Sequence, residues 1–166
     1  MGKWLEQNDF SGITFFGQDW GGLVGLRMVV NHDERFDSVV ISNTGLPYNP
    51  DVSHDIIQAV EAFRANAPTP SLAQMQKAVS QMQGKAWEFF HKFEKPFLCA
   101  FADNDPVTAG LDAQFKKEVP GNKGLAQTTI KGGGHFVQEN CPEQVSQLRT
   151  RVATRDRLPP QTQSGV

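Results

Sequence analysis

Apolar and polar positions along this chain fall into short blocks that read as alternating strands and helices. Between Gly12 and Gly17 lies the β-rich run Ile13-Thr14-Phe15-Phe16, bounded by glycines in the pattern of a buried strand. Residues 23–31 follow as a helix, with Leu23, Leu26, Met28, Val29 and Val30 supplying an apolar stripe. Residues 36–42 form the next strand, ended by Asn43-Thr44-Gly45-Leu46-Pro47. A strand, a helix and a strand joined by a short crossover make a βαβ unit, which implies parallel strands and a right-handed connection.

From about residue 51 to residue 92 the texture changes. Residues 54–65 and 72–90 read as helices, separated by Ala67-Pro68-Thr69-Pro70. A strand returns at 96–101 and a weaker one at 125–130, which Gly132-Gly133-Gly134 breaks. Residues 142–153 make a closing helix. The segment 155–166, with Pro159-Pro160 and no apolar pattern, is expected to be a disordered tail. The fold class expected is α/β, with about four mostly parallel strands and flanking helices. Residues 1–50 and 95–154 would form the core, and 51–94 a short helical insertion.

Composition narrows the function classes. With 166 residues and 39% hydrophobic content the chain can build a real core. A formal net charge of -2 and a pI of about 6.1 do not point to nucleic acid. Arg149, Arg151, Arg155 and Arg157 read as a helix coat that runs into the tail. Cys99 and Cys141 lie far apart without metal-ligand spacing, and Cys99, inside an apolar run, reads as a buried free thiol. His32 stands at a helix end, while His54 and His91 sit in the insertion with no liganding spacing around them, so no metal or cofactor is expected. The first residues carry no apolar signal core, Glu6 stands where a myristoylation signal needs Ser or Thr, and no stretch is long enough to span a bilayer. The expectation is a cytoplasmic chain with no membrane partner.

The most informative stretch is Gly17-Gln18-Asp19-Trp20-Gly21-Gly22, between an apolar strand and a helix. That is the setting of a nucleophile elbow, G-x-S-x-G, with Asp19 in the place of serine. The turn is sharp, and side chains two residues either side of Asp19, at Gly17 and Gly21, are expected to collide. A carboxylate there can attack a saturated carbon that carries a leaving group, giving an alkyl-enzyme ester that water must hydrolyse. The simpler reading of Asp19 is a helix N-cap. Partners elsewhere bear on the choice. His135 follows the last strand, and Asp103 and Asp105 follow the strand before it, in the order nucleophile, acid, histidine. Asp105, which precedes Pro106, is read as the acid and Asp103 as a turn carboxylate.

Gln18-Asp19-Trp20-Gly21-Gly22 resembles the nucleophile motif of the haloalkane dehalogenases, a family of the α/β-hydrolase fold. So do Ser42-Asn43-Thr44-Gly45-Leu46-Pro47, Glu94-Lys95-Pro96-Phe97-Leu98, Phe101-Ala102-Asp103-Asn104-Asp105-Pro106 and Gly134-His135-Phe136-Val137-Gln138-Glu139. The resemblance spans about residues 4–150. It implies that Asp19 displaces halide, His135 activates water and Asp105 holds His135. It also implies that Trp20 donates its indole N–H to the departing halide in a dry pocket and its backbone N–H to half of an oxyanion hole. The partners implied are a small haloalkane and water.

Against that family the chain starts at a helix just before the elbow strand, and the early strands and the loop with the other oxyanion N–H are not in it. The cap between Pro47 and Lys95 is short, and Trp87 reads as packing. The expectation is therefore an N-terminally truncated, partial α/β-hydrolase fold whose elbow strand lies at a sheet edge. Two alternatives stand beside the dehalogenase reading. An epoxide hydrolase shares the fold and the nucleophile but needs cap tyrosines, and Tyr48 is the single tyrosine. The other is an inactive remnant that self-associates through the exposed sheet edge.

Overall fold

The computed structural model describes residues 2–46 and 83–153. The expected helix 54–65, most of the expected helix 72–90, Tyr48, His54 and the tail 155–166 lie outside the described residues. By compactness the chain divides into one unit of Met1–Gly45 with Phe89–Val166 and another of Leu46–Glu88. In the second unit, Trp87 is buried and its indole Nε1–H donates to the carbonyl of Leu46 at 2.8 Å. All that follows concerns the first unit.

Its elements run in the order α1 (Gly2–Asn8), β1 (Ile13–Gln18), α2 (Asp19–Asn31), β2 (Phe36–Ser42), β3 (Phe97–Ala102), α3 (Asp112–Glu118), β4 (Thr128–Ile130), α4 (Val137–Asn140) and α5 (Pro142–Ala153). The four strands make one parallel sheet in the spatial order β1-β2-β3-β4. The strand β2 and the helix α5 lie where the apolar pattern puts them. Helix α2 begins four residues earlier than its stripe, because its first turn, Asp19-Trp20-Gly21-Gly22, carries no stripe to read. The seven-residue α3 has no counterpart in the sequence expectation: only Phe115 of it is buried, so it shows no periodic face.

Strands β2 and β3 are buried almost throughout, as parallel strands covered on both faces must be. Side chains alternate between faces. Val40, Leu98 and Ala100 pack with Leu125, Ile130, Val137, Cys141, Leu148 and Val152, so the core on that side is closed by α4 and α5. Near the other end of the sheet Phe97 stacks on Phe115 at 5.7 Å and meets the edge of Phe90 at 5.6 Å. Cys99 is fully buried and its thiol is pushed up to about 12, chiefly by burial, so it is inert.

Among the described residues β1 pairs only with β2. Around it Trp4, Phe10, Phe16 and Val24 are exposed apolar side chains.

Helix α2 lies hard against β1. A Cβ added at Gly25 would stand 2.0 Å from Cζ of Phe15. Helix propensity alone favours alanine over glycine by about 1 kcal/mol. The clash reverses that sign, so Gly25→Ala is expected to lower stability by about 1–3 kcal/mol. Urea unfolding of the two proteins checks this, and a gain in midpoint would refute the close packing.

Candidate active site

Parallel pairing sets the ends of the strands side by side. Gln18 is opposite Ser42, and Ala102 is opposite Ile130. The residues that follow these ends therefore share one edge of the sheet, the edge where open α/β sheets bind their ligands. Asp19 comes off β1, Asn43 off β2, Asp105 off β3 and His135 off β4.

Asp19 is the first residue of α2, and Gln18, not Asp19, is the N-cap. Its φ of 49° is left-handed, a conformation that non-glycine residues adopt at a cost of about 1–3 kcal/mol. Such strain is what an elbow needs to lift a side chain off the sheet. A Cβ at Gly17 would lie 2.7 Å from Cα of Gly22, so the strand and the helix do close on each other there. The expected collision at Gly21 is not found, since a Cβ there meets nothing within 4 Å. The crowded helix position is Gly22, whose Cβ would lie 2.6 Å from that of Thr44. The reason is that the second residue after Asp19 faces outward on α2 and the third faces the segment that follows β2.

Of the two carboxylates after β3, Asp105 is the one that reaches the histidine. Its Oδ2 accepts the Nδ1–H of His135 at 2.9 Å, its Oδ1 accepts the Val107 N–H at 2.9 Å, and the Thr108 hydroxyl donates to Oδ2. The Asp105 side chain is almost wholly buried. Burial pushes its carboxyl up, but the hydrogen bonds from Thr108, His135 and Val107 together outweigh burial and hold it below the usual range. Asp103 instead accepts the Gly132 N–H at 2.9 Å and stands 3.6 Å from Nζ of Lys131, fastening the turn after β4.

An ionised Asp105 fixes the tautomer of His135, with Nδ1 as donor and Nε2 free to accept. Nε2 points at Asp19, 3.5 Å from its Oδ1. The hydrogen bond to Asp105 is the largest influence on His135 and raises its pKa above the ordinary imidazole value. Partial burial opposes the rise, and the charges of Asp105 and Asp19 add to it. A carboxylate on an elbow, an imidazole within reach and a buried carboxylate behind it can deliver a nucleophile and a general base in sequence.

Trp20, in the first turn of α2, is 72% exposed. The dry surroundings that a halide donor calls for are not supplied by the described residues. Its backbone N–H belongs to the first turn, where helical N–H groups have no partner within the helix. Phe136 packs edge-on against the His135 ring at 5.0 Å. Among the described residues no group of three or more His, Cys, Asp or Glu could hold a metal, and no helix is long and apolar enough to cross a membrane.

Three polar residues that the sequence shows only as parts of longer motifs hold the segments around the triad. Asn43, in the segment that ends β2, is fully buried, and its amide donates to the carbonyls of Gly134 at 2.9 Å and His135 at 3.0 Å. Gln18 donates to the same His135 carbonyl at 2.9 Å. The Thr44 hydroxyl donates to the carbonyl of Asp19 at 2.7 Å. The available signal was their place, immediately beyond or at the end of an apolar strand on the edge that carries the elbow.

Comparison with known proteins agrees with this architecture. Residues 2–133 match the family model described as alpha/beta hydrolase fold. A haloalkane dehalogenase of Psychrobacter cryohalolentis is 35% identical over 87% of this chain and 61% of its own length. One from Mycolicibacterium paratuberculosis is 28% identical over 83% of this chain and 59% of its own. The chain thus spans about three fifths of the length of these curated relatives. Among solved structures, the haloalkane dehalogenase DatA from Agrobacterium tumefaciens superposes with a TM-score of 0.64 at 16% identity, over 92% of this chain and 69% of that one. An α/β hydrolase from a lagoon-sediment metagenome gives 0.62 at 19% identity, over 93% and 67%. At such identities the structural likeness speaks for the fold alone. A parallel sheet with a strained elbow after β1, acid and histidine on the loops after β3 and β4, and a family match over most of the chain agree: this chain belongs to the α/β-hydrolase-fold family, and the sequence relatives named here are haloalkane dehalogenases.

Proposed function

We propose that this chain carries the reaction centre of a haloalkane dehalogenase, hydrolysing a carbon–halogen bond to alcohol and halide. The observation that carries the reading is Asp19 on the elbow, with His135 Nε2 3.5 Å from its carboxylate and Asp105 behind the imidazole. Asp19 Oδ attacks the halogen-bearing carbon, a C–O bond forms, and the halide leaves with the electron pair of the broken bond. Trp20 donates its indole N–H to that halide, and its backbone N–H faces the ester oxygen when water adds. His135 Nε2 takes a proton from water, and the resulting hydroxide adds to the ester carbonyl. Collapse returns the Asp19 carboxylate and passes the added hydroxyl proton to the departing alcohol, and His135 gives its proton to solvent. Asp105 holds the imidazole in the right tautomer and stabilises its charged form. On this reading residues 1–50 and 95–154 are the hydrolase core and 51–94 the short cap insertion.

The first test is halide release from 1,2-dibromoethane and 1-bromobutane by folded protein. Release is expected from the native chain, and Asp19→Ala is expected to lose it by at least about a thousandfold. A folded native chain that releases no halide, yet associates as its concentration rises, would sink the proposal in favour of a self-associating remnant.

His135→Gln is expected to keep the first step and lose the second. A single equivalent of halide per chain would appear, with the alkyl group held on Asp19 and visible by peptide mass. Steady turnover in that variant would remove His135 from the base role.

The base must be neutral, so ester hydrolysis is expected to rise with pH through a midpoint above the ordinary imidazole value of about 6.5. Asp105→Asn removes the main cause of the rise, and the midpoint should move down. Stability follows the same link. A raised folded-state pKa means the His135 contact contributes fully below the unfolded value and fades as pH climbs through the folded one. Thermal melts on both sides of that window should show a loss at higher pH in the native chain and a smaller one in Asp105→Asn.

A further inference from the structure

We propose that Asn43 and Thr44, the two residues after β2, are positioning residues that hold Asp19 and His135 at working distance from each other. The kinetic part of this inference rests on the dehalogenase reading; the structural part stands on geometry alone.

Both residues are buried, and their polar groups are directed at the segments that bear the triad. The backbone carbonyl of Asn43 accepts the Asp19 N–H at 3.0 Å, and the Thr44 hydroxyl donates to the Asp19 carbonyl at 2.7 Å. The elbow residue is thus held on both of its peptide groups by one dipeptide. That counters the tendency of its left-handed backbone to relax. The Asn43 side chain works in the other direction. Its Oδ1 accepts the Ala102 N–H at 2.9 Å, at the end of the strand that leads to Asp105, and its Nδ2 donates to the carbonyls of Gly134 and His135. One side chain therefore ties the acid strand to the histidine loop, while its own backbone ties both to the elbow.

Residue type follows from this geometry. A fork with an acceptor on one arm and a donor on the other is needed, and Asn is the shortest side chain that has one. Aspartate would set an oxygen against two carbonyls. Asn43 also sits at φ 42°, a region that asparagine tolerates better than most residues. Positioning has a large effect because misplacement of reacting groups by about 1 Å can cost about a hundredfold in rate.

The test is an NMR titration of ¹⁵N-histidine-labelled full chain, with His135→Gln used to assign the His135 signals, together with stopped-flow halide release. Among the described residues the charged groups facing the imidazole are Asp19 and Asp105. Asn43→Gly keeps the backbone conformation and removes the fork; its His135 midpoint is expected to fall toward the ordinary imidazole value. Thr44→Val is expected to slow the first equivalent of halide about 10- to 100-fold, and Thr44→Ser to restore it. Ser38→Ala deletes a part-buried hydroxyl bond, to Thr14, near the far end of the β1–β2 pair and should move neither readout.

A folded Asn43→Gly chain with an unchanged His135 titration would overturn the proposal, as would Ser38→Ala producing the same shifts. If Asn43→Gly does not fold, Thr44→Val removes the other half of the clamp, and a folded Thr44→Val chain with both the His135 titration and the halide burst unmoved overturns it equally. Absence of halide release from the native chain would count against the dehalogenase reading, and the titration would still decide the clamp.

Discussion

Parallel pairing of four strands is the constraint on which the rest of this structure depends. Running the strands the same way puts all of their carboxyl ends along one edge, so residues far apart in the chain leave the sheet as neighbours. Gln18 opposite Ser42 and Ala102 opposite Ile130 are the register that makes Asp19, Asn43, Asp105 and His135 neighbours. A slip of one residue in β1 would turn its side chains to the other face and take Asp19 out of line with His135. The close seat of β1 on α2, where Phe15 lies against Gly25 and Gly17 against Gly22, makes such a slip costly.

On that edge the electrostatics are arranged around one imidazole between two carboxylates in different surroundings. Asp105 is buried and satisfied by three donors, which keeps it ionised. Asp19 is more exposed, at a side-chain accessibility of 37%, and stands 3.5 Å from the ring. The burial difference gives the two carboxylates different parts: one suits holding a charge in place, the other suits meeting a ligand. Asp19 and Asn43, two of the three non-glycine residues at positive φ among the described residues, both lie on this edge and are hydrogen-bonded to each other. Strain and its restraint therefore occupy the same few ångströms.

The apolar blocks of the sequence determined the βαβ start, the burial of β2 and β3, the closing helix α5 and the inert Cys99, since burial and periodicity are local signals. Chain order and the glycine-flanked aspartate were enough to name Asp19, Asp105 and His135 as candidates. Helix α3, the outward-facing Gly21 and the crowding at Gly22 were beyond it, because each depends on which neighbour a residue meets and not on its own chemistry. Asn43 is the clearest case. In the sequence it is a polar residue in the run that ends a strand; in the fold it is fully buried and bonded to three separate segments. Only the tertiary structure could decide that, because its partners Asp19, Ala102, Gly134 and His135 come together through strand pairing, and no local pattern records what lies across a sheet.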